Sequence, residues 1–284
     1  MTSFDASSFE TKYESGSRSE QSISFFQPGT KLVATGMRAI DMDKKANLRL
    51  NTYAEHVNDR QYKAIIKTWG DSKLYSASMP WLCVTNDNPY ELQAGRFDGS
   101  PTTRTANISF LDAYEKSPCV VVWLSRLDLG CGKNRRLKTE AKNVTRQGFT
   151  ISHDTWFDTV WYSASENWIA HQADHPRIRS GSYNTEQVRP CNSPTPQTHG
   201  TLSFFKPFEK PPFVVTAVSS VDFDQGQNIR FKMPVTNITN RGFPWGLDTW
   251  GIPPCTLPLH GILLLIRYEY SLLDWLILSR ATLI

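Results

Sequence analysis

The feature that most constrains the fold is a block that occurs three times at one spacing. It reads "RAIDMDKKANLRL", then "SRLDLGCGKNRRL", then "SSVDFDQGQNIRF". In each copy an aspartate precedes an arginine by eight positions, and a tryptophan follows that arginine twenty positions later. These residues are Asp41, Arg49 and Trp69; Asp128, Arg136 and Trp156; and Asp222, Arg230 and Trp250. Repetition without slippage predicts one structural unit copied three times.

Each copy alternates aromatic or β-branched runs with turn signals. An aromatic strand start and a proline-bearing loop precede the block, as in "LSFFKPFEKPPFVVTAVS", and turns such as "NVTRQG" and "NITNRG" follow it. Short strands with regular turns are typical of all-β sandwiches. We therefore predict tandem antiparallel β-sandwiches. Because each unit is small and has a thin core, we expect the three to pack as an intramolecular pseudo-trimer.

Connectors rich in Gly, Pro, Ser, Asn and Thr mark the predicted domain boundaries. They give a first sandwich with a polar N-terminal segment, a second sandwich, an incomplete third and an atypical apolar tail, at residues 1–85, 86–172, 173–251 and 252–284.

The third copy departs from the pattern. Pro234 and Pro244 interrupt predicted strand positions, and the Tyr-Ser-Ala strand is missing after Trp250. Central strands tolerate proline poorly. We expect a degenerate third unit, or an altered end of the reading frame, with an unpaired strand edge and exposed apolar surface.

Composition and motifs narrow the function. The chain has 284 residues and a net charge of +4, and its densest basic cluster, "GKNRRLK", lies inside a strand pattern. Nucleic-acid binding is therefore only a distant third hypothesis, one that predicts steep salt dependence. Because the sequence has no Gly-rich phosphate loop, nucleophile elbow or paired acidic motif, we predict neither an enzyme nor a cofactor.

Targeting and cysteine signals are weak. The first twenty residues contain no apolar segment, which predicts a cytoplasmic or unconventionally secreted protein. In the apolar tail, Arg267, Glu269 and Asp274 interrupt the run before it reaches the roughly 20 residues of a membrane span. Five cysteines without a C-x-x-C pair favour reduced thiols.

Two further motifs have ordinary explanations. The run "HQADH" at 171–175 lacks a third convincing metal ligand and is interpreted as the start of a polar linker, so no metal site is predicted. Asn107, Asn143 and Asn237 lie in N-x-S/T sequons, of which the last two recur at equivalent turns. Turn chemistry explains those better than glycans.

The repeated Trp and Arg suit a carbohydrate ligand. In "GFTISHDTW" the alternation puts Trp156 on the polar side at the end of a strand. Sugar C–H groups stack on an indole, and a guanidinium donates directional hydrogen bonds to hydroxyls. The alternative is that the Trp covers the end of a sandwich while the Arg pairs locally with acid, since a repeated fold repeats its structural residues too.

Two other residue types recur with the Trp and Arg. We interpret Asp41, Asp128 and Asp222 as structural residues that bond to turn N–H groups at a strand end. Tyr75 and Tyr162 follow a Trp by six positions, and the sequence leaves open whether they line the same site or fill the core.

Several motifs together resemble the H-type lectin domain, the module of snail agglutinins and of the C-terminal part of slime-mould discoidins. They are N-[LRI]-R-[LF], the N-x-T…G-F turn, the Thr-Trp before a strand, and Y-S-A-x-x-x-W, present as "YSASMPW" and "YSASENW". The resemblance extends from about Ser22 to Trp250 and implies small antiparallel sandwiches in trimeric association. It also implies binding of galactose or N-acetylgalactosamine between neighbouring units.

The resemblance assigns site residues one by one. Arg and Trp come from one unit, which makes the sugar-facing pairs Arg49 with Trp69, Arg136 with Trp156, and Arg230 with Trp250. A Gly-containing segment with an Asp comes from the next unit, and Gly95 and Asp98 in "AGRFDG" look like that segment. The residues after each Trp, where snail lectins have a histidine, are Gly70, Phe157 and Gly251.

The other two lead-in segments match less well. "SGSRSE" and "SGSYNT" offer Gly16 and Gly181 without an Asp nearby. We predict a multivalent lectin that binds glycans or glycoproteins, as an intramolecular pseudo-trimer or a homo-oligomer, and that acts in cell adhesion without catalysis. The alternative is an adhesion or scaffold protein whose sandwiches bind protein partners and whose sugar sites have decayed.

Overall fold

The chain folds almost entirely into antiparallel strands. The computed structural model describes residues 4–11, 20–27, 29–84, 92–190, 195–251 and 260–266. Within them lie nineteen strands and one short 3-10 turn, Thr185–Gln187. No helix in these ranges has the length and apolar character of a membrane span. The predicted all-β fold is confirmed.

The strands fall into three sets with the same order. The first repeat has β1 (Phe4–Glu10), β2 (Glu20–Phe26), β3 (Leu32–Thr35), β4 (Ala39–Met42), β5 (Leu48–Asn58), β6 (Gln61–Lys67) and β7 (Leu74–Val84). The second has β8 (Leu92–Gly99), β9 (Thr105–Ser109), β10 (Cys119–Leu129), β11 (Arg135–Lys142), β12 (Gly148–Asp154) and β13 (Trp161–His171). The third has β14 (Ile178–Asn184), β15 (Gln197–Ser203), β16 (Phe213–Phe223), β17 (Ile229–Lys232), β18 (Gly242–Asp248) and β19 (His260–Ile266).

Each of the three sheets combines strands of two repeats. One sheet has the order β2-β6-β5-β10-β13-β8, the second β14-β19-β16-β11-β12-β9, and the third β1-β7-β4-β17-β18-β15 with β3 added on β7. Repeats therefore meet where β5 pairs with β10, β11 with β16, and β17 with β4, which we call the first, second and third boundary. The third boundary returns to the first repeat, so the three sandwiches form a closed ring within one chain.

A repeated asparagine accepts a hydrogen bond across each boundary. The Asn47 side chain accepts a hydrogen bond from the Cys131 backbone N–H at 3.1 Å. Its counterpart Asn134 accepts from Gln225 at 3.0 Å, and Asn228 accepts from Lys44 at 3.1 Å. Each bond crosses from one repeat to the next, which explains why the Asn before the Leu/Arg/Ile-Arg step recurs in every copy.

Apolar side chains from all three repeats share one core. Leu50, Leu137 and Phe231, one from each repeat, are fully buried in the same hydrophobic cluster. Sharing offsets the thin core of a single small sandwich, because apolar area that one repeat exposes is covered by its neighbour.

Three equivalent positions meet side by side and differ in size. Gly36, Trp123 and Ala217 each precede the repeated aspartate by five positions. A Cβ on Gly36 would lie 2.6 Å from the Ala217 Cβ and 2.9 Å from the Trp123 ring. The Trp123 indole donates to the Thr35 carbonyl at 2.7 Å. One large residue thus fills the space that two small ones leave, an arrangement that identical repeats could not adopt.

The third repeat is shorter where proline interrupts it. β17 has four residues and ends before Pro234, and its one ladder pair with β18 joins Lys232 to Asp248. We expected an unpaired strand edge after Trp250, and this prediction is wrong because β19 pairs with both β16 and β14. The continuous apolar run in "HGILLLI" supplies the missing strand without the Tyr-Ser-Ala motif.

The remaining sequence signals lie in turns. Asn143 and Asn237 have positive φ values of 52° and 49° at equivalent turns, the conformation in which asparagine is favoured. Of the cysteines, Cys83, Cys119 and Cys131 lie in the described residues and are reduced.

Candidate functional site

The repeated arginine and aspartate meet across each boundary. Arg49 lies opposite Asp128 in the sheet register, Arg136 opposite Asp222, and Arg230 opposite Asp41. In every case the arginine Nε faces the carboxylate, and the three N–O distances are 3.5, 3.3 and 3.0 Å. One ion-pair geometry is therefore built three times, always from two repeats.

These contacts correct the role we expected for the aspartates. We assigned Asp41, Asp128 and Asp222 to turn N–H groups of their own strand ends, but each carboxylate pairs with the arginine of another repeat. Burial raises the pKa of Asp222 to about 6, against the opposing effects of Arg136 and of a hydrogen bond from the Trp156 indole. The second boundary thus joins Arg, Asp and Trp directly.

The other side of each guanidinium faces the loop after the tryptophan. Arg49 Nη1 lies 2.5 Å from the Asp71 carboxylate, and Arg136 Nη1 lies 3.1 Å from Asp158. Arg230 instead donates to the Gly251 carbonyl at 3.4 Å. Asp71 and Asp158 are more than half exposed, so each presents carboxylate oxygens to solvent beside the guanidinium.

The three tryptophans flank these ion pairs at the surface. Trp69 and Trp156 are half-buried, and Trp250 is 36% exposed. The Arg126 guanidinium of the second repeat lies 5.2 Å from the centre of the Trp69 ring, a cation–π contact across the first boundary. Trp69, held by Arg126, and Trp156, held by its hydrogen bond to Asp222, are thus fixed in place while part of each indole faces solvent.

The residue after each tryptophan has a left-handed backbone. The φ values are 64° at Gly70, 54° at Phe157 and 63° at Gly251. A Cβ on Gly70 would lie 2.6 Å from Arg49 Nη1, so glycine leaves the guanidinium open. Phe157 instead is 88% exposed, and its ring centre lies 5.1 Å from the Arg136 guanidinium carbon. The second boundary therefore has an aromatic wall that the other two lack.

The predicted lead-in segment lies at the first boundary. Strand β8 pairs with β13, and its Asp98 contacts the Ser165 hydroxyl and lies 3.0 Å from Arg96. Burial opposes ionisation of Asp98, but Ser165, Arg96 and Arg126 together hold its pKa below the usual value. Arg126, which also contacts Trp69, connects the Asp98 carboxylate to the site of Arg49.

Gly95 has a packing role on the same strand. A Cβ there would lie 2.5 Å from the Trp168 ring, which lies opposite it in the register. Glycine therefore lets β8 pass close over the indole, and this contact places Asp98 three residues further along.

The equivalent lead-in residues at the other boundaries were missed. Glu10 on β1 lies opposite Ser78, as Asp98 lies opposite Ser165, and pairs with Arg38 at 2.9 Å. Asn184 on β14 lies opposite His260 and caps the 3-10 turn with its side chain. The predicted Gly16 segment lies outside the described residues. Register, rather than a Gly–Asp motif, identifies these positions.

Asp71 and Asp158 were also missed, although a signal existed. Both stand two positions after their tryptophan, in "TWGD" and "TWFD". Position 252 of the third copy is an isoleucine outside the described residues.

The two tyrosines lie on strands away from their own arginine. Tyr75 belongs to β7, in the sheet that carries Arg230, and its hydroxyl donates to Asp43 at 2.9 Å. Tyr162 belongs to β13, in the sheet that carries Arg49, and is 51% exposed. Neither is a core residue. Tyr75 lies in the sheet of the third boundary, and Tyr162 lies in the sheet of the first boundary.

The "HQADH" run has local partners. The buried His171 ring bonds to the Gln172 carbonyl and the Ser180 hydroxyl, each at 2.8 Å. Burial lowers the pKa of His171 to about 4. His175 accepts from the backbone N–H groups of Arg177 and Ile178. Both rings therefore stabilise the turn into the third repeat.

The sequence of all three repeats matches a known family. The model of the H-type lectin domain matches residues 32–84, 105–171 and 200–254, which together exceed half of the chain. The chain belongs to the H-type lectin domain family. This family is carbohydrate-binding and non-catalytic, so the three matched segments make the protein a lectin built from three tandem domains.

A curated relative has an uninformative name. This H-type lectin domain protein is 30% identical over 76 residues to a protein of Fuscovulum blasticum described as "ATP synthase subunits region ORF 7". The match covers 25% of this chain and 66% of the relative.

Proposed function

We propose that this protein binds glycans or glycoproteins that end in galactose or N-acetylgalactosamine, through noncovalent sites at the three repeat boundaries. The observation that carries the proposal is the recurrence, at each boundary, of a half-buried indole beside an arginine whose Nε is held by the next repeat. The indole face offers stacking to sugar C–H groups. The guanidinium and carboxylates offer hydrogen bonds to hydroxyls.

The charges around the repeated arginines support a binding role over bond cleavage. Arg49 holds the pKa of the exposed Asp71 carboxyl below its usual value, and Lys133 and Arg136 do the same for Asp158, so both stay charged and can accept hydrogen bonds from sugar hydroxyls. A glycoside hydrolase needs a carboxylic acid with a raised pKa to protonate the leaving group. It also needs a second carboxylate that acts as base or nucleophile at the same sugar. Asp222 has the raised pKa, but its partners are the Arg136 guanidinium and the Trp156 indole, and its side chain is 1% exposed. We therefore propose binding without catalysis.

The ring supports multivalency. Three sites in one chain have a fixed relative placement, so a branched or clustered glycan gains from effective concentration without new contacts. Individual sites on a protein surface of this kind are expected to be weak, and avidity gives the chain its useful affinity. Adhesion of glycan-bearing surfaces, in the cytoplasm or after unconventional secretion, is the setting that we propose.

A glycan array tests this proposal. Full-length protein is compared with Trp69→Ala and Trp156→Ala, and with Phe205→Ala as a control because Phe205 is a fully exposed aromatic in a loop that carries no boundary residue. We expect galactose- and N-acetylgalactosamine-terminated glycans to bind, and each boundary variant to lose roughly tenfold or more in avidity.

The contrary outcome is equally clear. If well-folded protein binds no glycan, or if Phe205→Ala and Trp156→Ala behave alike, the boundary aromatics are architectural. The scaffold alternative, with protein partners, then replaces the lectin proposal.

A further inference from the structure

A cleft adjoins the first boundary. It has a volume of about 440 Å³ and lies between the first repeat and the lead-in strand β8 of the second. Its lining includes Thr30, Lys31, Tyr53, His56, Arg96 and Asn167. Clefts of this size are typical of small-molecule sites.

The cleft continues from the Arg49 site. Arg49, Asn51 and Tyr53 alternate along β5 and share one face of its sheet. Arg96 and Asp98 share the corresponding face of β8 and are joined by their ion pair. The face thus extends over roughly 13 Å from Arg49 to Tyr53. A ligand bound at Trp69 and Asp98 would reach Arg96 with its next unit.

The charge of the cleft is positive. Its lining carries Lys31 and Arg96 and contains no carboxylate. In the part of the chain that the structure describes, Lys31 pairs with no acidic group. The acids nearest Tyr53 are Glu20, which pairs with Lys67 at 3.2 Å, and Glu55. An anionic group in the cleft therefore meets Lys31, together with Arg96, whose guanidinium also pairs with Asp98 at 3.0 Å.

Buried polar groups form the wall of the cleft. The Asn167 side chain is held by a 2.8 Å bond to the Thr35 carbonyl. The Tyr62 hydroxyl donates to the Thr30 carbonyl at 2.7 Å. Thr30 is only 8% exposed, and its hydroxyl oxygen is shielded from the cleft. Hydrogen-bonded side chains thus fix this wall, so the cleft keeps its shape without a ligand.

The equivalent positions of the other repeats do not reproduce this lining. Tyr53 corresponds to Glu140, whose carboxylate is held by Lys138 and Lys142 at 2.6 and 2.7 Å. In the third repeat the same position is Pro234. The cleft is therefore a property of the first boundary and not of the repeated fold.

We infer that the cleft binds an acidic group, a carboxylate or a sulfate, on the glycan whose terminal sugar lies on Trp69 and Arg49. This inference rests on the proposed function. Lys31 and Arg96 bind the anion, and Tyr53 packs against the sugar ring that carries the acid. The first boundary then prefers acidic oligosaccharides, while the second and third boundaries bind only the terminal sugar.

Affinity for matched oligosaccharides tests the inference. Calorimetry compares a neutral disaccharide ending in N-acetylgalactosamine with its uronic-acid and sulfated counterparts, on full-length protein carrying Trp156→Ala and Trp250→Ala. We expect roughly fivefold to tenfold tighter binding of the acidic ligands at low salt, and a smaller advantage at high salt. The uronic-acid and sulfate arms show which acid fits better.

Lys31→Gln is the informative variant because Lys31 lies outside the Trp69 site. We expect it to leave the neutral disaccharide unaffected and to remove most of the acidic advantage. Lys116→Gln is the matched control, because Lys116 is 77% exposed and pairs with Asp174 away from the cleft. Equal affinity for neutral and acidic ligands, or equal effects of the two lysine variants, would overturn the inference and leave the lectin proposal intact.

A probe without a terminal sugar separates the two proposals. Glucuronate, with glucose as the neutral control, is titrated while the NMR signals of the His56 and Tyr53 rings are followed. Shifts with glucuronate alone in a protein that binds no glycan would support the cleft and contradict the lectin proposal. If glucuronate causes no shift and the protein binds neutral and acidic glycans equally well, the inference about the cleft is contradicted. The lectin proposal then stands.

Discussion

Each repeat boundary has an inner side, formed by the contacts between repeats, and an outer side, the surface around the tryptophan. The two sides differ in how similar the three boundaries are. On the inner side, the Arg–Asp ion pair and the asparagine bond recur three times with nearly equal distances. On the outer side, Phe157 replaces glycine, and the lead-in residue is Asp98, Asn184 or Glu10. Ring closure needs the same contacts at every boundary, whereas ligand selection leaves each surface free to change.

The centre of the ring shows a third behaviour, in which equivalent residues differ because they touch each other. Gly36, Trp123 and Ala217 fit only as a set. Arg135, fully buried where its counterparts are Leu48 and Ile229, donates to the Lys44 and Ala46 carbonyls. A single chain permits such unequal sets, which a trimer of identical subunits cannot contain.

The largest expected effect comes from emptying this centre. Trp123→Ala removes a fully buried indole and its bond to Thr35, and we expect the free energy of unfolding to fall by about 3–5 kcal/mol. Urea unfolding measures the change, with Phe205→Ala as the exposed control that changes stability by less than about 0.5 kcal/mol. A loss below about 1 kcal/mol for Trp123→Ala would mean that the three repeats are not packed together.

Acid titration probes the inner side of the second boundary. The pKa of Asp222 rises from 3.8 in the unfolded chain to about 6 in the folded protein. Between these values the folded state keeps a proton that the unfolded chain has released, so this group lowers stability as pH rises from about 4 to 6. We expect the difference in unfolding free energy between wild type and Asp222→Asn to fall by on the order of 2 kcal/mol over that window. A difference independent of pH would contradict the raised pKa.

Alanine substitutions at the residue after the tryptophan compare the loops of the first and second boundaries. Gly70→Ala places a Cβ against Arg49 at a positive φ, and we expect a loss of about 1–2 kcal/mol. Phe157→Ala keeps a side chain that the backbone already accommodates and removes an exposed ring, so its effect should stay near zero. Thermal unfolding compares the two. Equal losses would show that the loops after the tryptophans are alike.

The smallest expected effect tests whether the three boundaries are equivalent on their inner side. Asn47→Ala, Asn134→Ala and Asn228→Ala each remove one hydrogen bond between repeats, and we expect each to cost about 1 kcal/mol. Chemical unfolding of the three variants under one set of conditions measures this. One variant that costs several times more than the others would identify a boundary on which the ring depends unequally.

The sequence predicted the repeats, the all-β fold and the Arg and Trp positions, because fixed spacing within a copy is visible in one dimension. It could not predict which aspartate meets which arginine, because Asp222 and Arg136 belong to different copies. The lead-in residue Glu10 was missed since its place depends on the register with β7. Strand β19 is a continuous apolar run that lacks the repeat motif, which is why its pairing was unexpected.

The most direct test of binding at the boundaries follows the indole N–H signals of ¹⁵N-labelled full-length protein during titration with N-acetylgalactosamine and galactose. Trp→Phe variants assign the signals. We predict shifts for Trp69, Trp156 and Trp250, and none for the buried Trp123 and Trp161. Saturating sugar that leaves the three boundary indoles unmoved in a folded protein would contradict the proposal that this ring of H-type lectin domains binds sugar between its repeats.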